Sequence, residues 1–184
     1  MARGMKWLAV ISFVLTAAFA VWYAYASVGV LLSFAVTFGT FFYHFAMRLA
    51  VGHTLNAVFR NKMDFTKPWF CERKFEKKLY RLLRVRVWRK HVPTYAPETF
   101  SRELHSWREI AMATCQAEIV HEVIVLLSFV PILFAIPFGA LPVFIITSVI
   151  SALFDMIFVI LQRYNRPMLL KVIKAAETKK TEKR

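Results

Sequence analysis

Two long stretches of the sequence contain no Asp, Glu, Lys or Arg. They cover residues 7–47 and 123–154. A transmembrane helix needs about 20 predominantly apolar residues. The first stretch is long enough for two crossings, so the pattern predicts spans at about 7–26 and 30–50 with a short turn between them.

The second uncharged stretch is too short for two crossings by itself. Prolines and a glycine cluster around residues 136–141 and predict a turn there. Counting about 20 residues in each direction from this turn reaches Ala117 and Leu161. With a helix that enters the membrane near Met112, the spans are predicted at about 112–136 and 140–161. The cytoplasmic ends of these two spans must therefore contain ionisable residues.

The region between the second and third spans, residues 53–110, is predicted to be cytoplasmic and interfacial. Apolar residues recur at helical spacing over 75–83 among many Lys and Arg, which indicates a basic amphipathic helix on the membrane surface. A second periodic pattern after Pro97 predicts one helix that continues to Pro131. Charged and apolar residues alternate over 84–88, and this pattern does not decide between a helix and a strand.

The resulting prediction is an all-α polytopic membrane protein with four transmembrane helices and interfacial helices between spans two and three. Residues 1–176 are expected to form a single integral membrane domain. The Lys-, Glu- and Thr-rich segment 177–184 is predicted to be a flexible basic tail.

Composition supports membrane insertion and excludes other classes of protein. The chain is 58% hydrophobic, with a mean hydropathy of +0.49. These values exclude a disordered chain and an ordinary soluble enzyme. With only two cysteines, neither a disulfide framework nor a zinc site is predicted.

The net charge of +14 arises from 25 Lys and Arg against 11 Asp and Glu. All of these cations lie outside the two uncharged stretches. The positive-inside rule then places both termini and the central region on the cytoplasmic side of the cell membrane. These cations set the membrane topology, and they would also attract anionic lipid or an anionic substrate such as a CoA ester. We expect no nucleic-acid partner.

Candidate chemistry lies in three groups of polar residues near the cytoplasmic ends of the spans. Each group occupies one helix face or one helix end. We expect the groups to gather in one pocket at the inner leaflet, with Pro167 interrupting the helix just after the third group. The groups are His44 with Arg48, Glu118 with His121, and Gln162 with Arg163, Asn165 and Arg166.

Glu118 and His121 are three residues apart and so share a helix face. A histidine can take a proton from an attacking hydroxyl while a carboxylate orients its ring. An E-x-x-H pair is also half of a di-iron site, but a second such pair is missing from the sequence. We therefore predict no metal and no cofactor. The sequence contains neither a G-x-S-x-G nucleophile elbow nor a phosphate-binding loop. A covalent serine intermediate therefore has no support, and the simplest reaction scheme is direct transfer of a group to the substrate hydroxyl with help from a base.

Besides a transferase that uses His121 as its base, two other functions remain open. A small membrane methyltransferase would use S-adenosylmethionine, with Arg163 and Arg166 holding a carboxylate of its substrate. A non-catalytic membrane scaffold would use the same ionic side chains only to hold its helices together.

Three motifs resemble one known family. They are Glu118-x-x-His121, the run Gln162-Arg163-Tyr164-Asn165-Arg166-Pro167, and Trp88-Arg89-Lys90-His91-Val92-Pro93. Together they resemble the glycosyl-4,4'-diaponeurosporenoate acyltransferase family over roughly residues 70–170. Arg89 departs from the family's usual Lys, and Met168 stands where an Arg often follows the proline.

The resemblance implies transfer of a fatty acyl group from a thioester, either acyl-CoA or acyl carrier protein, to a hydroxyl. The acceptor would be a glycosylated membrane lipid or a carotenoid-like glycoside. His121 is then the expected general base and Glu118 its partner. The expected substrate-binding residues are His44, Arg48, Trp88, Gln162, Arg163, Asn165 and Arg166.

Overall fold

The computed structural model describes residues 2–92 and 97–182, and within these ranges all regular structure is helical. The α-helices are α1 (Ala2–Ala26), α2 (Gly29–Phe59), α3 (Lys74–Leu82), α4 (Val85–Trp88), α5 (Trp107–Leu127), α6 (Ala135–Phe138) and α7 (Leu141–Thr181). Four segments are long and apolar enough to cross a membrane, which confirms the predicted fold class: Arg3–Ala26, Gly29–Phe59, Trp107–Phe138 and Leu141–Lys179.

The chain packs as two compact units, and the expectation of a single integral membrane domain over 1–176 stays a prediction. The first unit consists of Met1–Thr54 with Glu122–Met156. The second consists of Leu55–His121 with Ile157–Arg184. Each unit therefore combines segments that are distant in sequence.

Aromatic stacking holds α1 against α2 in the first unit. The ring of Phe19 stacks on Phe34 and Phe38, with centroids 5.0 and 5.7 Å apart. The two helices are joined at Ser27, whose positive φ of 53° reverses the chain. The predicted hairpin between the first two spans is thus confirmed.

The turn predicted near residues 136–141 is also confirmed. Gly139 and Ala140 have φ values of 67° and 47° and separate α6 from α7. The helical segment before this turn is not one continuous α-helix, because α5 ends at Leu127 and a 3-10 helix follows over Val130–Phe134. Pro131 has no N–H to continue the α-helical hydrogen bonds.

Helix α2 is longer than the predicted span and ends at Phe59. Its end is fixed by a residue that is distant in sequence. The Gln116 side chain accepts the Asn61 N–H at 2.6 Å and donates to Asn56 Oδ1 at 3.1 Å. Arg60 and Asn61 adopt left-handed conformations that terminate the helix.

The prediction that one helix runs from Pro97 to Pro131 is wrong. Only a short 3-10 helix, Pro97–Phe100, follows the proline, and α5 begins at Trp107. Ser106 N–H donates to Glu109 Oε2 at 2.7 Å, and Glu109 N–H donates to Ser106 Oγ at 3.3 Å. This reciprocal capping box starts the helix, and its S-x-x-E signature is visible in the sequence.

Helix α3 is the predicted amphipathic helix, but its buried face is polar. Glu76 and Tyr80 are buried, whereas Phe75 and Leu82 are 58% and 79% exposed. The segment 84–88, for which the sequence did not decide between helix and strand, forms helix α4 over Val85–Trp88. Helix α3 thus turns its carboxylate and phenol towards the rest of the second unit.

The prediction that Pro167 interrupts the helix beyond the fourth span is wrong, because α7 continues through it to Thr181. Proline removes a single hydrogen bond, to the carbonyl four residues earlier, and the side chains of Arg163 and Arg166 anchor the helix around it. Most of the predicted tail is therefore helical, although its mobility stays a prediction. Residues 183–184 lie outside the described residues.

Candidate active site

Glu118 lies on α5 and is fully buried. Its Oε1 accepts a hydrogen bond from Arg163 Nη1 at 2.5 Å, and its Oε2 accepts one from Arg166 Nη2 at 2.5 Å. One carboxylate therefore joins two arginines of α7. Charge-assisted bonds of this kind are among the strongest hydrogen bonds in proteins.

Arg163 also binds α3 and the segment before it. Its Nε and Nη2 donate to Glu76 Oε1 at 3.0 and 2.7 Å. Its Nη1 reaches the carbonyl of Trp69 at 3.1 Å, and its Nη2 reaches that of Cys71 at 3.4 Å. The planar guanidinium group can make several such contacts at once. Through them, Arg163 fixes the segment 69–71 against α5 and α7.

Arg166 is only 1% exposed. Its Nε donates to Thr114 Oγ1 at 3.2 Å, and its Nη2 donates to the Thr114 carbonyl at 3.1 Å. The Phe70 carbonyl accepts from Nη1 at 3.3 Å, and the Phe70 ring lies 4.9 Å from the guanidinium carbon. All three guanidinium nitrogens thus donate to protein acceptors.

We call Glu76, Glu118, Arg163 and Arg166 the arginine–glutamate cluster. Its two positive and two negative charges balance. Buried charges are tolerated when they are paired and their hydrogen bonds are satisfied, and here the backbone carbonyls of residues 69–71 complete the set. The cluster therefore gives a rigid, neutral anchor between α3, α5 and α7.

The buried Tyr80 extends this cluster along α3. Its hydroxyl donates to Glu76 Oε2 at 2.9 Å. Burial, together with this bond to a carboxylate, raises the pKa of Tyr80 well above its usual value. The phenol therefore remains a neutral donor, and its ring packs edge-on against Tyr164 at 5.3 Å.

Asn165 and Arg89 contact each other beside the cluster. Arg89 Nη1 donates to Asn165 Oδ1 at 3.0 Å, and the same guanidinium lies over the Tyr164 ring at 5.3 Å. The neighbouring Trp88 donates its indole N–H to the Leu83 carbonyl at 2.8 Å. The proline of this motif, Pro93, lies outside the described residues.

His121 lies one helical turn after Glu118 on α5 and is half-buried. Its ring stacks on Phe158 of α7, with centroids 4.6 Å apart and an interplanar angle of 11°. Each carboxylate oxygen of Glu118 accepts a hydrogen bond from an arginine. The expected pairing of Glu118 with His121 stays a prediction. Stacking on Phe158 gives the imidazole a defined plane.

His44 and Arg48 lie in the first unit, whereas the arginine–glutamate cluster lies in the second. Arg48 donates to Asp155 Oδ2 from Nε at 3.0 Å and from Nη2 at 2.5 Å. Its Nη2 also donates to Ser151 Oγ at 2.8 Å. His44 is 4% exposed, and its two ring nitrogens contact no hydrogen-bond partner within the described part of the chain.

The two arginines of α7 are among the expected substrate-binding residues. That role stays a prediction, and their contacts favour a different one, because their N–H groups point at Glu76, Glu118, Thr114 and backbone carbonyls. Gln162 lies half-buried on the same helix. Within residues 2–92 and 97–182, no group of three His, Cys, Asp or Glu side chains is placed to hold a metal ion.

Sequence reasoning missed Glu76 and Thr114. Glu76 is the only acidic residue of α3, which is otherwise basic and apolar. A lone carboxylate on such a helix signals a specific partner, and this signal was available. Thr114 contributes its hydroxyl and its carbonyl to Arg166, and no sequence pattern distinguishes it from other threonines.

Comparison with known families identifies the chain. The family model for glycosyl-4,4'-diaponeurosporenoate acyltransferase matches residues 66–175. The chain belongs to this family. The match includes all four members of the arginine–glutamate cluster together with His121. No curated protein and no solved structure matches the chain.

Family membership confirms the resemblance drawn from the motifs. The protein is an acyltransferase, and its family acts on a glycosylated carotenoid. The methyltransferase and scaffold hypotheses consequently lose their support. An acceptor of this kind is lipid-like, which agrees with the four apolar helices.

Proposed function

We propose that this protein transfers a fatty acyl group from a thioester to a sugar hydroxyl of a glycosylated carotenoid at the cytoplasmic face of the cell membrane. The donor would be acyl-CoA or acyl carrier protein. Family membership supports the acceptor class, and the apolar helices support a membrane location. The basic residues around α3 suit an anionic donor.

The observation that carries this proposal is the arrangement on α5. Glu118 is held rigidly by two arginines, and one turn later His121 presents a half-buried imidazole stacked on Phe158. A catalytic base must be accessible to its substrate and fixed in orientation. His121 meets both conditions.

In the proposed reaction, His121 accepts the proton of the sugar hydroxyl as the hydroxyl oxygen attacks the thioester carbonyl carbon. A carbon–oxygen bond forms, and the carbon–sulfur bond breaks. The imidazolium then returns the proton to the departing thiolate. The products are an acylated glycoside and a free thiol, so neither an oxidant nor a metal is required.

We assign Glu118, Arg163, Arg166 and Glu76 positioning roles. Their charges compensate one another, and their hydrogen bonds hold α3 and the segment 68–71 in place beside α5. Trp88, Gln162 and Asn165 remain proposed substrate-binding residues in the second unit. His44 and Arg48 are proposed to bind substrate in the first unit.

Replacing His121 with Ala in purified protein reconstituted in lipid tests the base. General acid–base catalysis contributes typically about 10²–10⁴-fold, so kcat for acyl transfer to a glycosylated carotenoid should fall by at least 100-fold. The exposed His53 offers a matched control, and His53→Ala should keep kcat within twofold. A folded His121→Ala protein with unchanged kcat would remove the assignment.

The proposed topology has its own test in the two natural thiols. Cys71 is exposed and Cys115 is buried. With both termini and the central region cytoplasmic, a membrane-impermeant maleimide should label Cys71 only in inside-out vesicles. Cys71→Ser should abolish the labelling. Labelling in right-side-out vesicles would reverse the proposed orientation.

A further inference from the structure

Helix α3 presents three different faces around its axis. The buried face contains Tyr80 and Glu76, a member of the arginine–glutamate cluster. The second face is apolar and exposed, since Phe75 and Leu82 lie about two helical turns apart and are both open at the surface. The third face, which we call the α3 basic face, consists of four exposed cations at spacings of three and four residues: Lys74, Lys77, Lys78 and Arg81.

The α3 basic face receives little charge compensation from the protein itself. Lys77 Nζ lies 3.6 Å from Glu72 Oε2. In the part of the chain that the structure describes, Lys74, Lys78 and Arg81 contact no carboxylate. Like charges four residues apart on a helix repel each other, and Lys74 with Lys78 and Lys77 with Arg81 form two such pairs. An anionic partner would relieve this repulsion.

The buried face of α3 fixes the level of this helix along α7. Glu76 binds Arg163, which lies two residues after Leu161, the predicted end of the fourth span. Two residues correspond to a rise of about 3 Å along a helix. Arg166 binds the Phe70 carbonyl, so the segment before α3 lies close to the same level. Helix α3 therefore lies where α7 is expected to leave the hydrocarbon, at the depth of lipid headgroups.

Large apolar side chains are also exposed on either side of α3 in the sequence. Trp69 precedes the helix and is 52% exposed, and Val87 on α4 is 65% exposed. These side chains are separate from the apolar cavity of the first unit, which lies between α1, α2 and the start of α7. A cavity encloses a single ligand, whereas exposed apolar side chains beside cations are typical of a helix that lies in a membrane surface.

We propose that α3 binds anionic phospholipid at the bilayer surface. Phe75 and Leu82 lie among the acyl chains, and the α3 basic face contacts the headgroup phosphates. Four cations on one helix face favour an anionic headgroup over a zwitterionic one, because each Lys or Arg near an anionic surface adds to the attraction. This inference goes beyond the proposed acyl transfer and does not depend on it. The basic residues after α3, from Arg84 to Lys90, remain for an anionic donor.

Lipid retention by the full-length protein tests the proposal. The protein is incubated in detergent with equal amounts of phosphatidylglycerol and phosphatidylcholine, and the lipids that stay bound after purification are quantified by mass spectrometry. The wild-type protein should retain phosphatidylglycerol over phosphatidylcholine by about fivefold or more. Combining Lys74→Gln, Lys77→Gln and Lys78→Gln should lower this ratio by about threefold or more.

Helix α7 offers a matched control with the same change in net charge. Lys171, Lys174 and Lys179 are exposed and lie about 15 Å or more beyond Leu161 along the helix. Combining Lys171→Gln, Lys174→Gln and Lys179→Gln should leave the lipid ratio unchanged. His121→Ala should also keep the wild-type ratio, so a failure of the proposed function would leave this measurement intact.

A depth measurement reports on the apolar face. Leu82→Cys in a Cys71→Ser background provides one accessible thiol for a fluorophore, because Cys115 is buried. In nanodiscs that contain phosphatidylglycerol, lipids with brominated acyl chains should quench a label at position 82. A label on Thr178→Cys, near the end of α7, should not be quenched. Equal fluorescence of the two labels would contradict insertion of the apolar face.

Three results would overturn the binding of anionic lipid. Equal retention of both lipids by the wild-type protein would show that α3 does not select the headgroup charge. An equal decrease in both triple variants would assign the preference to net charge rather than to α3. An unchanged ratio in the α3 variant, with a raised KM for acyl carrier protein as donor, would assign the α3 basic face to an acidic protein.

Discussion

The two compact units each bury an arginine against a carboxylate, but they do so in different ways. In the second unit, Glu118 joins Arg163 and Arg166, and backbone carbonyls of a loop occupy further N–H groups. In the first unit, Arg48 binds Asp155 and the hydroxyl of Ser151. The first arrangement is a network, and the second is centred on one ion pair.

The difference shows what each arrangement stabilises. The network connects α3 and the segment before it to the two apolar helices α5 and α7, so several elements depend on one carboxylate. The pair connects only α2 to α7 and leaves the nearby imidazole of His44 unpartnered within the described residues. A network of this kind fixes a site, whereas a simple pair fixes a helix contact.

The largest effect is expected from Glu118→Gln. Removing one partner of a buried ion pair costs about 3–5 kcal/mol, and here the change leaves two buried arginines without their shared carboxylate. The free energy of unfolding, measured by denaturant titration in detergent, should fall by about that amount, and acyl transfer should be lost. A decrease below about 1 kcal/mol would contradict the role of the network.

The ion pair in the first unit should behave differently in a double-mutant cycle. Arg48→Met or Asp155→Leu alone should lower the free energy of unfolding by about 3 kcal/mol, at the low end for a buried pair, because the Arg48 side chain is 12% exposed. The double variant should recover most of this loss, because no buried charge is then uncompensated. Glu118→Leu with Arg163→Met should recover little, since Arg166 stays buried. Equal recovery in both units would remove the distinction.

A smaller, pH-dependent effect is expected from Tyr80→Phe. Loss of the hydrogen bond to Glu76 should cost about 1 kcal/mol. The pKa of Tyr80 is raised in the folded state, so above about pH 10 the unfolded chain releases a proton that the folded chain keeps. The free energy of unfolding should therefore fall with increasing pH above that point, and less steeply in the variant. Identical slopes between pH 9 and 11 would contradict this assignment.

The smallest effect belongs to the exposed pair of Arg108 and Glu177, whose side chains are 65% and 58% exposed. Solvent screens such pairs, so Glu177→Gln should change the free energy of unfolding by less than about 0.5 kcal/mol. This variant gives the baseline for the substitutions of buried residues. A loss of about 2 kcal/mol or more would show that burial does not explain the ranking.

Local pattern was sufficient for most of the architecture. Long uncharged stretches predicted the four spans, and helix-breaking residues around Gly139 predicted the second turn. The start of α5 was missed although Ser106 and Glu109 carry a recognisable signature. The continuity of α7 through Pro167 was missed for another reason, because it depends on arginine side chains that bind residues far away in sequence.

The candidate site was only partly accessible from the sequence. Glu118, Arg163 and Arg166 were identified by motif and do contact one another. The expected role of the two arginines in substrate binding stays a prediction, and the acceptors that occupy the arginines come from Glu118, Glu76, Thr114 and three backbone carbonyls. No periodicity encodes such contacts, since they join positions 45–96 residues apart.

By itself, the sequence determined the helical class, the four apolar segments and the acyltransferase motifs. These follow from composition and short spacing, since burial in lipid requires apolar runs and satisfied backbone hydrogen bonds. Only the tertiary structure decided which charges compensate one another and where an apolar cavity lies. Those depend on side-chain geometry between distant segments, and the chain acquires that geometry only when its helices pack.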